Sequence, residues 1–117
     1  MNRMFYDAQI FNQDIGSWDV SSSWDTSKVV DMSEMFMNCG DFNQNLNNWD
    51  VSKVTTMRHM FSSAYEFDQG EDKSWITTPN NPLNWDTSSV TDMSYMFSAA
   101  RKFNQDISSW VCPQLLI

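Results

Sequence analysis

Three aspartates at matching positions are the clearest hint of chemistry in this 117-residue sequence. Asp25, Asp50 and Asp86 each follow a tryptophan and precede an x-Ser pair, in Trp24-Asp25-Thr26-Ser27, Trp49-Asp50-Val51-Ser52 and Trp85-Asp86-Thr87-Ser88. If the segments that carry them lie side by side, the carboxylates stack about 5 Å apart and repel one another. Two arrangements relieve that repulsion. Each carboxylate can bond to the serine two residues on or cap a helix that starts there, which is the simpler reading. Alternatively the row, with Asn48 and Ser52 beside Asp50, forms an acidic strip that holds Ca²⁺ or a basic segment of a partner. A second row, Asn12, Asn43, Asp68 and Asn104 followed by Gln13, Gln44, Gln69 and Gln105, is expected to satisfy backbone groups at turns. The single histidine, His59, stands beside Arg58 and is expected on the solvated face of a helix. With no second histidine, no cysteine cluster and no paired nucleophile, neither a zinc site nor a Ser-His or Cys-His machine can be assembled. No glycine-rich phosphate loop is present. The chain is therefore expected to be no enzyme, with no cofactor and no resident metal.

What must position these residues is a repeat. Met-Phe falls at 4–5, 35–36, 60–61 and 96–97, and a second phenylalanine follows each methionine by seven residues, at Phe11, Phe42, Phe67 and Phe103. Tryptophan follows by seven more at Trp18, Trp49 and Trp110, and the basic period is 25 residues. Self-similarity at this spacing marks a solenoid, in which a unit buries its apolar face only when a neighbour stacks on it. The expectation is one domain over 1–117 with loop insertions near 19–24 and 70–82. The first insertion separates Trp18 from Trp24. The second carries Gly, Pro and charged residues together with Trp75, which has no repeat position; it is expected to fold back as a lid, the alternative being an aromatic that faces a partner.

Two periodicities alternate within a unit. Val54, Met57, Met60, Phe61 and Ala64 are spaced as one face of a helix, with Ser52 as its cap and Asp50 near its N-terminus. Val90, Met93, Met96, Phe97 and Ala100 repeat the series. Trp49 and Val51 would share one face of a short strand, with Asn48, Asp50 and Ser52 on the other. The fold expected is thus α/β: a right-handed, leucine-rich-repeat-like solenoid of about four 25-residue coils, short parallel strands on one face and Met-rich helices on the other. A coil of strands only is the alternative.

Nine Met, eight Phe and six Trp make the expected core aromatic and thioether. A formal charge of −8 argues against nucleic acid or an anionic membrane surface and favours a cationic or neutral partner. No stretch approaches the ~18 apolar residues that span a membrane, so no membrane insertion is expected. Met1-Asn2-Arg3 runs straight into the first repeat with no signal peptide, which suits an intracellular protein or, better, a mature segment of a longer one. Cys39 takes the small-residue place of Ala8, Ala64 and Ala100, and Cys112 matches Val51; both are expected as free, buried thiols.

The series Phe42-Asn43-Gln44-Asn45-Leu46, Trp49-Asp50-Val51-Ser52 and Met57-x-x-Met60-Phe61 resembles the repeat of the surface-protein family labelled domain of unknown function 285 (DUF285), related to BspA-like leucine-rich repeats. Val90-Thr91-Asp92-Met93-Ser94-Tyr95-Met96-Phe97 matches it as well, and the likeness covers nearly the whole chain. The resemblance implies display at the cell surface or secretion, with adhesion to or interaction with a protein or glycan partner, and no established catalytic residue. On this reading Asp25, Asp50, Asp86, Asn48, Ser52 and Trp75 are the candidate binding residues, and a purely structural spacer is the competing role. The terminal repeats have no neighbour, and their apolar side chains call for a cover. Flanking repeats, a tail folded back after Pro113, or end-to-end self-association would each supply one, the folded tail ranking first at the C-terminus.

Overall fold

The computed structural model describes residues 1–16, 28–70 and 81–111. Four repeats, each centred on a Met-Phe pair, lie against one another as layers. Hydrogen bonds join the Met-Phe segments in chain order. The amides of Arg3, Phe5 and Asp7 in layer 1 donate to the carbonyls of Ser33, Met35 and Met37 in layer 2, at 3.0–3.1 Å. Met32, Glu34, Phe36 and Asn38 donate to Thr56, Arg58, Met60 and Ser62 in layer 3. Met57, His59, Phe61 and Ser63 donate to Asp92, Ser94, Met96 and Ser98 in layer 4. Every second residue thus reaches forward. The amides between them close tight turns on the third residue back, as Met35 does to Met32 and Met37 to Glu34. In the inner layers the backbone polar groups of this segment are accounted for, which burial requires.

This overturns the expected α/β solenoid of strands and Met-rich helices. Among the described residues no α-helix forms, and β-pairing is confined to two isolated parallel bridges, Asp31 with Thr56 and Thr56 with Asp92. The reason lies in the destination of the amides. A helix consumes them within its own segment, whereas here every second one is committed to the neighbouring layer. A left-handed residue at every fourth place permits this by reversing the coil: Arg3 and Asp7, Glu34 and Asn38, His59 and Ser63, Tyr95 and Ala99 all have φ between 56° and 62°. None of these is glycine, so the layered bonding offsets the steric cost of that region for a residue bearing a Cβ. Ser52 consequently caps no helix. Its amide donates to Asp50 Oδ1 at 2.9 Å, and Val54 closes the next turn on Val51.

The burial expected from spacing holds in the series from Val54 to Ala64, while in the second series Val90 and Met96 are buried and Met93, Phe97 and Ala100 half-buried. Met57, Met60, Phe61 and Ala64 are fully buried, and Trp49 and Val51 are buried while Asn48 and Asp50 are exposed. Inside, rings stack in two columns. Phe5, Phe36, Phe61 and Phe97 follow one another with centroids 5.4–5.6 Å apart. Phe11, Phe42, Phe67 and Phe103 do so at 5.6–5.9 Å. Within a layer the two rings touch, as Phe61 and Phe67 do at 4.1 Å. Each tryptophan indole among the described residues ties its layer to the one before: Trp49 Nε1 donates to Ile15 O, Trp85 Nε1 to Leu46 O and Trp110 Nε1 to Leu83 O. Cys39 is free and buried, donates to Phe5 O, and has its thiol pushed up to about 11 by burial. Cys112 lies outside the described residues. So do residues 19–24 of the first insertion and residues 71–80 of the second.

Candidate interaction surface

Asp50 and Asp86 sit on turns of identical build. Asp86 Oδ1 accepts from the Ser88 amide at 3.1 Å and its hydroxyl at 2.7 Å, as Asp50 Oδ1 accepts from the Ser52 amide. Asp106, bonded by the Ser108 amide, makes the same kind of turn at another repeat position, that of Asn45, and in layer 4 Val111 stands where the next aspartate of the row would. These are Asx turns, in which a short side chain replaces a backbone acceptor. All three carboxylates are exposed. The serine hydroxyls, and after them the amides, hold the Asp86 and Asp106 carboxyls below their ordinary value. Asn48 is exposed beside Asp50, and Ser52 is half-buried in the turn itself. Asp25 and Trp75, the other two candidates, lie outside the described residues. Among the described residues no group of three or more His, Cys, Asp or Glu is placed to hold a metal ion.

A second acidic column runs along another edge. Asp31, Thr56 and Asp92 are joined by the two bridges, and Ser33 and Ser94 bond back to the aspartates as at Asp86. Burial pushes the Asp31 carboxyl up, but bonds from Ser33 and Asn2 outweigh it and leave the group below its ordinary value. At Asp92 the Ser94 hydroxyl is the main cause of the same lowering.

The Asn/Gln row does what its spacing suggests. Asn12 Oδ1 accepts the Asn43 amide, Asn43 Oδ1 those of Asp68 and Gly70, and Asp68 Oδ1 that of Asn104. Gln69 and Gln105 accept from the amides of Leu46 and Asn81. These side chains stitch layers together and are spent on structure.

Sequence reasoning missed two features. Arg3, Arg58 and Arg101 each cover a tyrosine, Tyr6 at 4.3 Å, Tyr95 at 5.6 Å and Tyr65 at 4.7 Å from the ring centroid. The tyrosines share no repeat position, so periodicity gave no sign of the pairing. His59 was expected on a solvated helix face, yet it is half-buried, at φ 57°, stacked on Tyr95 with centroids 5.0 Å apart. Near Tyr65 a shallow groove of about 330 Å³ runs past Gln9, Ile10, Asn38 and Asp41. Ile10 stands 87% exposed at its rim.

The repeat landmarks, the stacked layers and the Asx turns describe a protein built by iteration of one short motif. The family model described as "Mycoplasma protein of unknown function, DUF285" matches residues 1–84 and 77–115, and the chain belongs to this family. No curated protein and no solved structure matches the chain. No helix among the described residues is long and apolar enough to cross a membrane.

Proposed function

We propose that this protein is a non-catalytic interaction module whose acidic edge, carried by Asp50 and Asp86, takes a basic segment of a protein partner at the cell surface. The observation that carries the reading is the state of these carboxylates. Each is exposed, yet its serine neighbour fixes it in place, so a cation meets charges that need no ordering. The net charge of −8 adds long-range attraction for a basic partner. The competing role is a spacer, favoured by the Asn and Gln side chains that serve only to join layers.

The double variant Asp50→Asn and Asp86→Asn separates the two, because asparagine keeps the acceptor that makes the turn and removes the charge. Under the binding reading, a protein retained by the immobilised chain from surface extracts is released by moderate salt. The variant, with an unchanged melt, fails to retain it. If nothing is retained by either chain, the spacer reading stands; if both retain the same protein, the acidic edge is not the site.

A further inference from the structure

Among the described residues the backbone groups of the first and last layers lack partners in opposite and matching ways. Within the Met-Phe segments the earlier layer donates amides and the later layer accepts at carbonyls in every internal interface, with a two-residue step on both sides, while beyond the segments Asp41, Thr55, Glu66 and Thr91 donate the other way. In layer 4 the amides at the donor positions are those of Met93, Tyr95, Phe97 and Ala99, and among the described residues they meet no acceptor. In layer 1 the carbonyls at the acceptor positions are those of Asn2, Met4 and Tyr6, and among the described residues they meet no donor. We propose that the layer-4 face binds the layer-1 face of a second copy of this chain, extending the stack across the junction.

The internal register assigns the pairs. Phe5 donates to Met35, Phe36 to Met60 and Phe61 to Met96, so Phe97 donates to Met4 of the incoming copy. Tyr95 donates to its Asn2 and Ala99 to its Tyr6. The side-chain row continues in the same register. Asn104 Oδ1 is placed to accept the amide of the incoming Asn12, as Asn12 accepts from Asn43 at 2.7 Å. The ring columns continue too, with Phe97 meeting Phe5 and Phe103 meeting Phe11. All four of these rings are half-buried, whereas their counterparts Phe36, Phe61, Phe42 and Phe67 are fully buried. Such a contact joins different faces of the two copies and does not close, so it builds a chain of subunits.

Ala99 offers a test that leaves the fold alone. It is exposed, and in its column Asn38 donates to Asp7 Oδ1 at 2.7 Å. Across the junction Ala99 faces the incoming Asp7. Asparagine and aspartate both tolerate the left-handed backbone at this residue. Ala99→Asn therefore supplies the donor that Asn38 supplies internally and should tighten association about tenfold, while Ala99→Asp sets two carboxylates together and should weaken it about tenfold.

Sedimentation velocity on the intact chain over a wide concentration range reads the mass, and amide exchange of Tyr95, Phe97 and Ala99 reads the surface used. The expected result is growth in steps of the 13.7 kDa chain, protection of these amides that rises with concentration, and opposite shifts in the two variants. A monomer at every concentration overturns the proposal. If its three amides are protected, the chain's own residues cover the face; if they are not, the face stands open. Growth without protection of these amides, or without opposite effects of the two variants, also overturns it by placing the contact elsewhere.

Discussion

Met32 and Met57 are wholly buried, while Met1 and Met93, which hold the same repeat position in the outer layers, are only half covered. The same difference runs through both phenylalanine columns. One motif thus occupies two physical environments, and its contribution is set by the number of neighbouring layers more than by its own residues. This is the nearest-neighbour behaviour of a stacked repeat, in which interfaces carry much of the stability. The inner layers are where the energy of this fold resides.

The largest effect that tests the contrast comes from the rings. Phe61→Ala removes a side chain stacked on Phe36, Phe67 and Phe97. It should cost about 3–5 kcal/mol in urea unfolding, with Phe97→Ala costing roughly half as much. Equal losses at the two sites would erase the distinction between inner and outer layers. Next comes the close approach between layers 1 and 2. A Cβ on Gly16 would lie 1.8 Å from the Asn45 carbonyl oxygen, whereas at Gly40 the nearest atom is 3.7 Å away. Gly16→Ala should destabilise by about 1–3 kcal/mol, and Gly40→Ala should stay within about 0.5 kcal/mol. A neutral Gly16→Ala would mean that layer 1 is held less tightly than its bonds suggest.

Asn43 and Asn12 sharpen the contrast among polar groups. Asn43 Oδ1 serves two amides from within the stack, and loss of that acceptor strands the amide of buried Asp68. Asn43→Ala should cost about 1–2 kcal/mol by thermal unfolding, more than Asn12→Ala at the exposed end. The smallest effect is that of acid. The Asp31 and Asp92 carboxyls lie below their ordinary 3.8 in the folded chain. Their contribution is therefore fully present above that value and is lost as pH falls through the folded values. The melting temperature should stay level from pH 7 to 5 and decline below about 3.8, less steeply in Asp31→Asn. A melt that fell already between pH 7 and 5 would point to other groups.

Residue spacing revealed which side chains are buried and which stitch the layers. Phe36, Phe42, Phe61 and Phe67 repeat at fixed intervals because each must meet its equivalent in the next layer, and the Asn/Gln row repeats for the same reason. Backbone conformation was less legible. Met57, Met60, Phe61 and Ala64 share one face in a helix and equally in a run of three-residue turns reset by a left-handed residue, so the apolar pattern cannot tell them apart. Only His59 and Ser63, at φ 57° and 58°, carry the difference; histidine is merely enriched in that region and serine is not, so the pair is a weak signal of left-handed turns. At the candidate site the Asp-x-Ser turns could be anticipated from Asp50 and Ser52. The arginine–tyrosine pairs could not, because Tyr6, Tyr65 and Tyr95 obey no period.

The one-way direction of the Met-Phe bonds has an electrical consequence. Amides point toward layer 4 and carbonyls toward layer 1 in all three interfaces, so the peptide dipoles add along this column as they do along a helix axis. The column's negative pole lies at layer 1 and its positive pole at layer 4. The Arg3 guanidinium sits at the negative pole, where a cation is best placed. At the opposite pole the amides of Tyr95, Phe97 and Ala99 meet no acceptor among the described residues, and the field there favours whatever brings oxygen atoms to them.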